Sequence, residues 1–98
     1  MSFIVILAKI QPKEGCHDSI LELSEELIYE SQLEDGNIEY ELLQSDKDTS
    51  LTFVEKWESV ESLKKHMKSP HFLNFNEDIA EFVQSEDIEV LSSEKIEL

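Results

Sequence analysis

The chain predicts an α+β sandwich: a four-stranded antiparallel sheet in the ferredoxin-like order 4-1-3-2, with helices on one face. Three observations predict it. The elements read β-α-β-β-α-α-β along 98 residues, a length that suits one domain. A short polar link joins the second and third strands into a hairpin. The first strand is apolar on both faces, so both faces require cover.

Residues Ser2–Gln11 place Phe3, Val5 and Leu7 on one side and Ile4, Ile6, Ala8 and Ile10 on the other. The β-branched content and the length favour a strand over a helix. Pro12-Lys13-Glu14-Gly15 ends it. Ile20, Leu23, Leu27 and Ile28 then recur at helical spacing among glutamates, which predicts a helix over about His17–Leu33. Asp18 suits its first turn, and Gly36 suits a stop beyond it.

Asn37–Gln44 alternates Ile38, Tyr40 and Leu42 against Glu39 and Glu41, a strand with one wetter face. Ser45–Ser50 is a polar turn. Leu51–Glu58 returns with Leu51, Phe53, Glu55 and Trp57 in phase. Ser59 is placed to cap a helix whose apolar stripe is Val60, Leu63 and Met67. Ser69-Pro70 starts another, since Pro is pre-organised for the first helical position. Phe72, Phe75, Ile79, Phe82 and Val83 carry that helix to about Gln84. Asp87–Leu98 is a last strand with an acidic tail. A chain of this size covers one face of the sheet with its own helices. Pairing two bare faces about a two-fold axis buries the other, so a homodimer closing into an α+β barrel is expected.

The net charge is −15, and all eight basic residues are Lys. Nucleic acid and anionic membrane surfaces need a basic face that this chain lacks. Without Arg, polyanionic substrates also lose their usual bidentate clamp. The single Cys16 forms no internal disulfide and has no CxxC partner, which fits a cytoplasmic setting. The N-terminal apolar run is too short for a signal peptide or a membrane span. Two glycines exclude a dinucleotide loop or a P-loop, and no HExxH or GxSxG occurs. His66 and His71 stand five apart across a Pro break, a spacing that suggests no metal set, and no organic cofactor is implied.

Four stretches, FIVILAKIQPKEG, LEDGNIEYEL, FVEKWES and SLKKHMKSPHF, resemble the antibiotic biosynthesis monooxygenase family of the dimeric α+β barrel superfamily. The resemblance spans nearly the whole chain, and its specific parts are EKWES and HMKSPHF. It implies the ferredoxin-like dimer and, for better-known members, oxygenation of quinols or polycyclic aromatics without metal or flavin. Relatives also include haem-degrading enzymes, an isomerase-like enzyme of autoinducer breakdown, and members without assigned activity. The haem-degrading branch has an axial His where this chain has Asn76 and Asp78, and an Asn on strand one where this chain has Ala8. Of the Asn-Trp-Tyr-Arg set of some polyketide oxygenases, only the Trp is clearly present.

Trp57 matches the strand-three Trp that borders the family's pocket, and equally suits a core aromatic. His71, second in the helix after Pro70, meets amide dipoles that disfavour its protonated form, so it could serve as a base. It could also pack beside Phe72 as a first-turn histidine. His66, on the flank of the preceding stripe, is an equal candidate for the base. Tyr40 could hydrogen-bond a substrate oxygen or simply cover the core. Phe53, Phe72 and Phe75 would wall the pocket. Glu55, in phase with Phe53 and Trp57, could face the interior, where burial would raise its pKa and let it act as a base; a solvated charge or a dimer contact is the favoured reading. Lys64, Lys65 and Lys68 read as a solvated helix face. The expected function is cofactor-independent oxygenation of a quinol, phenol or enol by O2. An isomerase or other acid–base enzyme acting on a small carbonyl compound, and a non-catalytic ligand-binding dimer, are the alternatives.

Overall fold

The computed structural model describes residues 2–98. In order it forms β1 (Ser2–Pro12), α1 (His17–Gln32), β2 (Asn37–Gln44), β3 (Leu51–Trp57), α2 (Val60–His66), α3 (Pro70–Ile79), a 3₁₀ turn (Ala80–Phe82) and β4 (Val83–Glu94). The sheet runs β2-β3-β1-β4 with every neighbouring pair antiparallel, which is the expected ferredoxin-like order. No helix among the described residues is long and apolar enough to cross a membrane.

Register decides which side chains meet. Ile6 pairs with Glu55, Ala8 with Phe53 and Ile10 with Leu51 between β1 and β3. Tyr40 pairs with Glu55 between β2 and β3. These residues point to one face, where Ile20 and Leu27 of α1, Leu63 of α2, and Phe75 and Ile79 of α3 cover them. Phe3, Val5, Leu7 and Val54 lie on the opposite face and are half-buried. On that face Lys56 Nζ and Glu39 Oε2 form an ion pair at 2.9 Å.

Three sequence expectations shift. The last helix ends at Ile79 rather than near Gln84, and Val83 already pairs with Pro12 of β1. The β1 pairing wins because Lys13 N donates to Phe82 O at 2.8 Å, drawing the chain into the sheet. The apolar stripe of α2 also differs: Val60 and Met67 are about half exposed (46% and 49%), and the inward pair is Leu63 and His66. Those two are three residues apart, one turn of helix, so they share a face. Finally, a register shift between Asn37 and Glu39 turns Ile38 outward, where it is 53% exposed.

Candidate active site

A cavity of about 470 Å³ opens between the helix-side face of the sheet and α2 and α3. Ile6, Ala8 and Phe53 form its floor, Leu63 and Phe75 its roof, and Ile88 and Val90 of β4 its rim. Among the described residues, Tyr40, Glu55, His66, Asn76 and Glu86 are the polar lining residues, and no lysine lines it.

His66 is 1% exposed, and its position has local causes. The Ser59 hydroxyl accepts from Ser62 N at 3.1 Å and starts α2. The Ser69 hydroxyl donates to His66 O at 2.6 Å and accepts from Phe72 N at 3.3 Å. One side chain thus closes α2 and opens α3, with His66 at the junction. The imidazole packs on Trp57 with centroids 4.6 Å apart, and Phe72 (4.9 Å) and Tyr40 (5.4 Å) complete its surround.

The two nitrogens of His66 differ. Nδ1 lies 3.2 and 3.1 Å from the two carboxylate oxygens of Glu34. Nε2 is buried with no hydrogen-bond partner among the described residues. A carboxylate only accepts, so Nδ1 carries the ring proton and Nε2 the free lone pair. Burial holds the imidazole below its ordinary pKa, and the Glu34 charge offsets part of that. A neutral ring with an unpaired lone pair is therefore the form near neutral pH.

Glu34 reaches this position from the corner between α1 and β2. Its backbone N donates to Ser31 O, Asn37 N donates to Glu34 O, and Glu58 N donates to Gly36 O at 2.8 Å. Gly36 has φ +83°, and a Cβ there would collide with the Ser62 hydroxyl of α2. The corner therefore packs against α2 closely enough for Glu34 to touch its end. Glu34 also accepts from His71 Nε2 at 2.5 Å.

His66 and His71 are thus brought together through Glu34. Only His66 lines the cavity. His71 lies in an outer groove with Glu22, Glu26, Glu30 and Asp78. The sequence spacing suggested no ligand set, yet Glu34, His66 and His71 offer one ligand atom each within 4.8 Å of one another. Two imidazoles and a carboxylate suit a divalent transition ion; here the carboxylate already accepts from both rings. Glu34 was missed by sequence reasoning because it precedes His66 by 32 residues. Its signal was an acid just past the C-terminal end of α1, where the helix dipole disfavours negative charge unless a partner compensates.

Glu55 departs from its sequence reading. It is 5% exposed, on the cavity floor, and accepts from Trp57 Nε1 at 3.0 Å. Its alternation with Phe53 and Trp57 on the covered face of β3 leaves it no route to solvent. Burial pushes its carboxyl up to about 7, against the Trp57 hydrogen bond. Tyr40, 2% exposed, is held well above the usual phenol range by burial and then by the Glu55 charge. It stays protonated and can donate. Phe53 and Phe75 meet edge to face at 5.6 Å in the cavity wall, which Phe72 joins. Trp57 is fully buried behind this wall, in contact with Tyr40 and His66.

A profile of the antibiotic biosynthesis monooxygenase family matches residues 3–78. The chain is 26% identical over 80 residues to Putative monooxygenase Rv0793 of Mycobacterium tuberculosis, covering 82% of this chain and 79% of that protein. It is 29% identical over 73 residues to Putative monooxygenase YcnE of Bacillus subtilis, covering 74% and 77%. The crystal structure of PA3566 from Pseudomonas aeruginosa superposes with a TM-score of 0.90 at 23% identity, covering 97% of each chain, a likeness of fold.

Proposed function

Because the chain belongs to the antibiotic biosynthesis monooxygenase family, we propose that its cavity oxygenates a small quinol, phenol or enol with O2, without an organic cofactor. The observation that carries this reading is the asymmetry of His66: Nδ1 held by Glu34, Nε2 unpaired, in a ring that lines an apolar cavity. Leaving a buried acceptor unpaired costs about 1–3 kcal/mol. A substrate hydroxyl donating to Nε2 would recover that cost.

In this reading Nε2 takes the substrate proton as general base. Glu34 fixes the tautomer and stabilises the imidazolium that forms, as the carboxylate of a catalytic triad does. His71 holds Glu34 in place from the far side. Nε2 is shielded from water by the surrounding rings, and Phe72, the one ring of the three that is only half-buried, gives way to substrate. The substrate anion is electron-rich enough to pass an electron to O2. Tyr40 donates to the substrate oxygen, while Phe53, Phe72 and Phe75, backed by Trp57, keep the site dry. The absence of lysine from the lining and the presence of Glu55 and Glu86 favour an uncharged substrate over a carboxylate or phosphate.

The test is O2 uptake with a quinol such as menadiol. His66→Gln should cost about 10²–10⁴-fold, and full activity in that variant refutes the reading. A second reading has one observation in its favour: an acid-range carboxyl and a base share the cavity, as enolisation of a carbonyl compound requires. Turnover that survives under anaerobic conditions selects that isomerase reading.

A further inference from the structure

Glu55 takes no part in the steps above, although it is a carboxyl group buried in the cavity lining beside Tyr40 and His66. It and His66 flank one indole. Trp57 Nε1 donates to Glu55 Oε1 at 3.0 Å, and the same ring stacks on His66 with centroids 4.6 Å apart. A single Trp side chain thus holds a carboxyl group and a base within reach of one small molecule. Nothing in the fold requires a carboxyl here. The β3 positions two residues before and after it are Phe53 and Trp57; the buried Trp57 N–H needs only an acceptor, which a neutral amide would supply without an ionisable group.

We propose that Glu55 is a catalytic acid that protonates the departing oxygen when the O–O bond of a substrate hydroperoxide breaks. This rests on the monooxygenase reading. In the first stage His66 removes a proton from the substrate, the carbanion-like anion gives electrons to O2, a C–O bond forms, and the peroxide takes the proton back from His66. In the second stage His66 removes the hydrogen on the oxygenated carbon, and that C–H pair becomes the second bond of a carbonyl. The O–O bond breaks, and the departing hydroxide takes the Glu55 proton and leaves as water. A CH₂ unit, or its phenol tautomer, plus O2 becomes a carbonyl plus water, with four electrons passing from carbon to O2. The proton left on His66 then returns to Glu55.

The chemistry needs a group that is protonated near neutral pH, in a site where His66 is not. Burial acts oppositely on the two, raising the carboxyl and lowering the imidazole. The groups facing Glu55 are Tyr40 of β2, Glu34 of the α1–β2 corner and Trp57 of its own strand. His66 of α2 and Glu86 of β4 line the same cavity. Glu34 adds negative charge that favours the protonated carboxyl, and no lysine in the lining opposes it.

The experiment compares wild type, Glu55→Gln and Glu55→Asp in an oxygen electrode with menadiol, adding catalase at the end. Gln still accepts from Trp57 Nε1, and circular dichroism checks the fold. In the wild type, oxygenated product should match O2 consumed, and the product yield should fall as pH rises through about 7. Glu55→Gln should still consume O2, release hydrogen peroxide that catalase reveals, and form at least roughly tenfold less product per O2, an effect in the range of a lost general acid. Its product yield should be flat across that pH range. Glu55→Asp should restore part of the yield. An unchanged product-to-O2 ratio without peroxide in Glu55→Gln overturns the acid role and leaves the monooxygenase reading standing. Absence of O2 uptake by the wild type overturns the monooxygenase reading, and the acid role with it.

Discussion

Replacing Glu55 with Gln should make the fold more stable at alkaline pH relative to the wild type, because it removes a buried group that must ionise there. Burial raises this carboxyl from 4.5 to about 7. The folded state therefore holds a proton over a pH range in which the unfolded chain has released it. The sign follows from linkage: where the folded state binds more protons, stability falls as pH rises. The loss begins near pH 4.5, accumulates through about 7 and is constant above. Each tenfold difference in proton affinity between the folded and unfolded chain is worth about 1.4 kcal/mol, so the loss totals about 3 kcal/mol. Gln has no such transition and keeps the Trp57 hydrogen bond. Urea unfolding of both proteins at pH 5 and pH 8.5 measures the effect, and other titrations cancel in the difference. Part of the loss has already occurred at pH 5, so the variant should gain about 2.5 kcal/mol on the wild type between the two pH values. Stability curves that stay parallel across that range would mean that Glu55 ionises as a solvated carboxylate does, and the argument for a dry cavity floor would fail.

Other outcomes follow from single features. Gly36→Ala combines a positive φ with a collision on Ser62, so it should cost roughly 1–3 kcal/mol in thermal unfolding. Ser59→Ala removes the cap of α2 and should cost about 1 kcal/mol in the same assay. Glu34→Gln should leave the fold intact but lower O2 uptake, with the larger loss in kcat, because the imidazolium loses its counter-charge; an unchanged kcat would detach Glu34 from the chemistry. The helix-free face carries Phe3, Val5, Leu7 and Leu91, and sedimentation should show a dimer that Leu7→Glu converts to monomer. A wild-type monomer at micromolar concentration would sink that expectation.

The fold was largely legible because its signals are local. The two-sided apolar β1, the polar hairpin link at Ser45–Ser50 and the Ser-Pro start of α3 each act over a few residues. The end of α3 was less so, since the i, i+3 spacing of Ile79 and Phe82 fits a helix and only the pairing with Pro12, across the sheet, overrides it. At the site, the aromatic walls and the two histidines could be picked out by type. What joins them could not. Glu34 meets His66 across 32 residues because a glycine corner seats against α2, and no periodicity encodes that contact. Glu55 was misjudged for a related reason. A glutamate in phase with core residues reads as an exception, and only the depth of β3 between β1 and β2 shows that it has nowhere else to go.

Trp57 is the only tryptophan in the chain, and it touches both Glu55 and His66. The protein thus carries a single indole fluorophore at the place of interest, which can be excited selectively over the two tyrosines. Charging the imidazole stacked on the indole, or stripping the proton from the carboxyl at its N–H, alters quenching and the local field in distinct pH ranges. A molecule entering beside His66 perturbs the same emission. Unlabelled protein in a cuvette can therefore screen candidate compounds by titration, before any turnover has been detected.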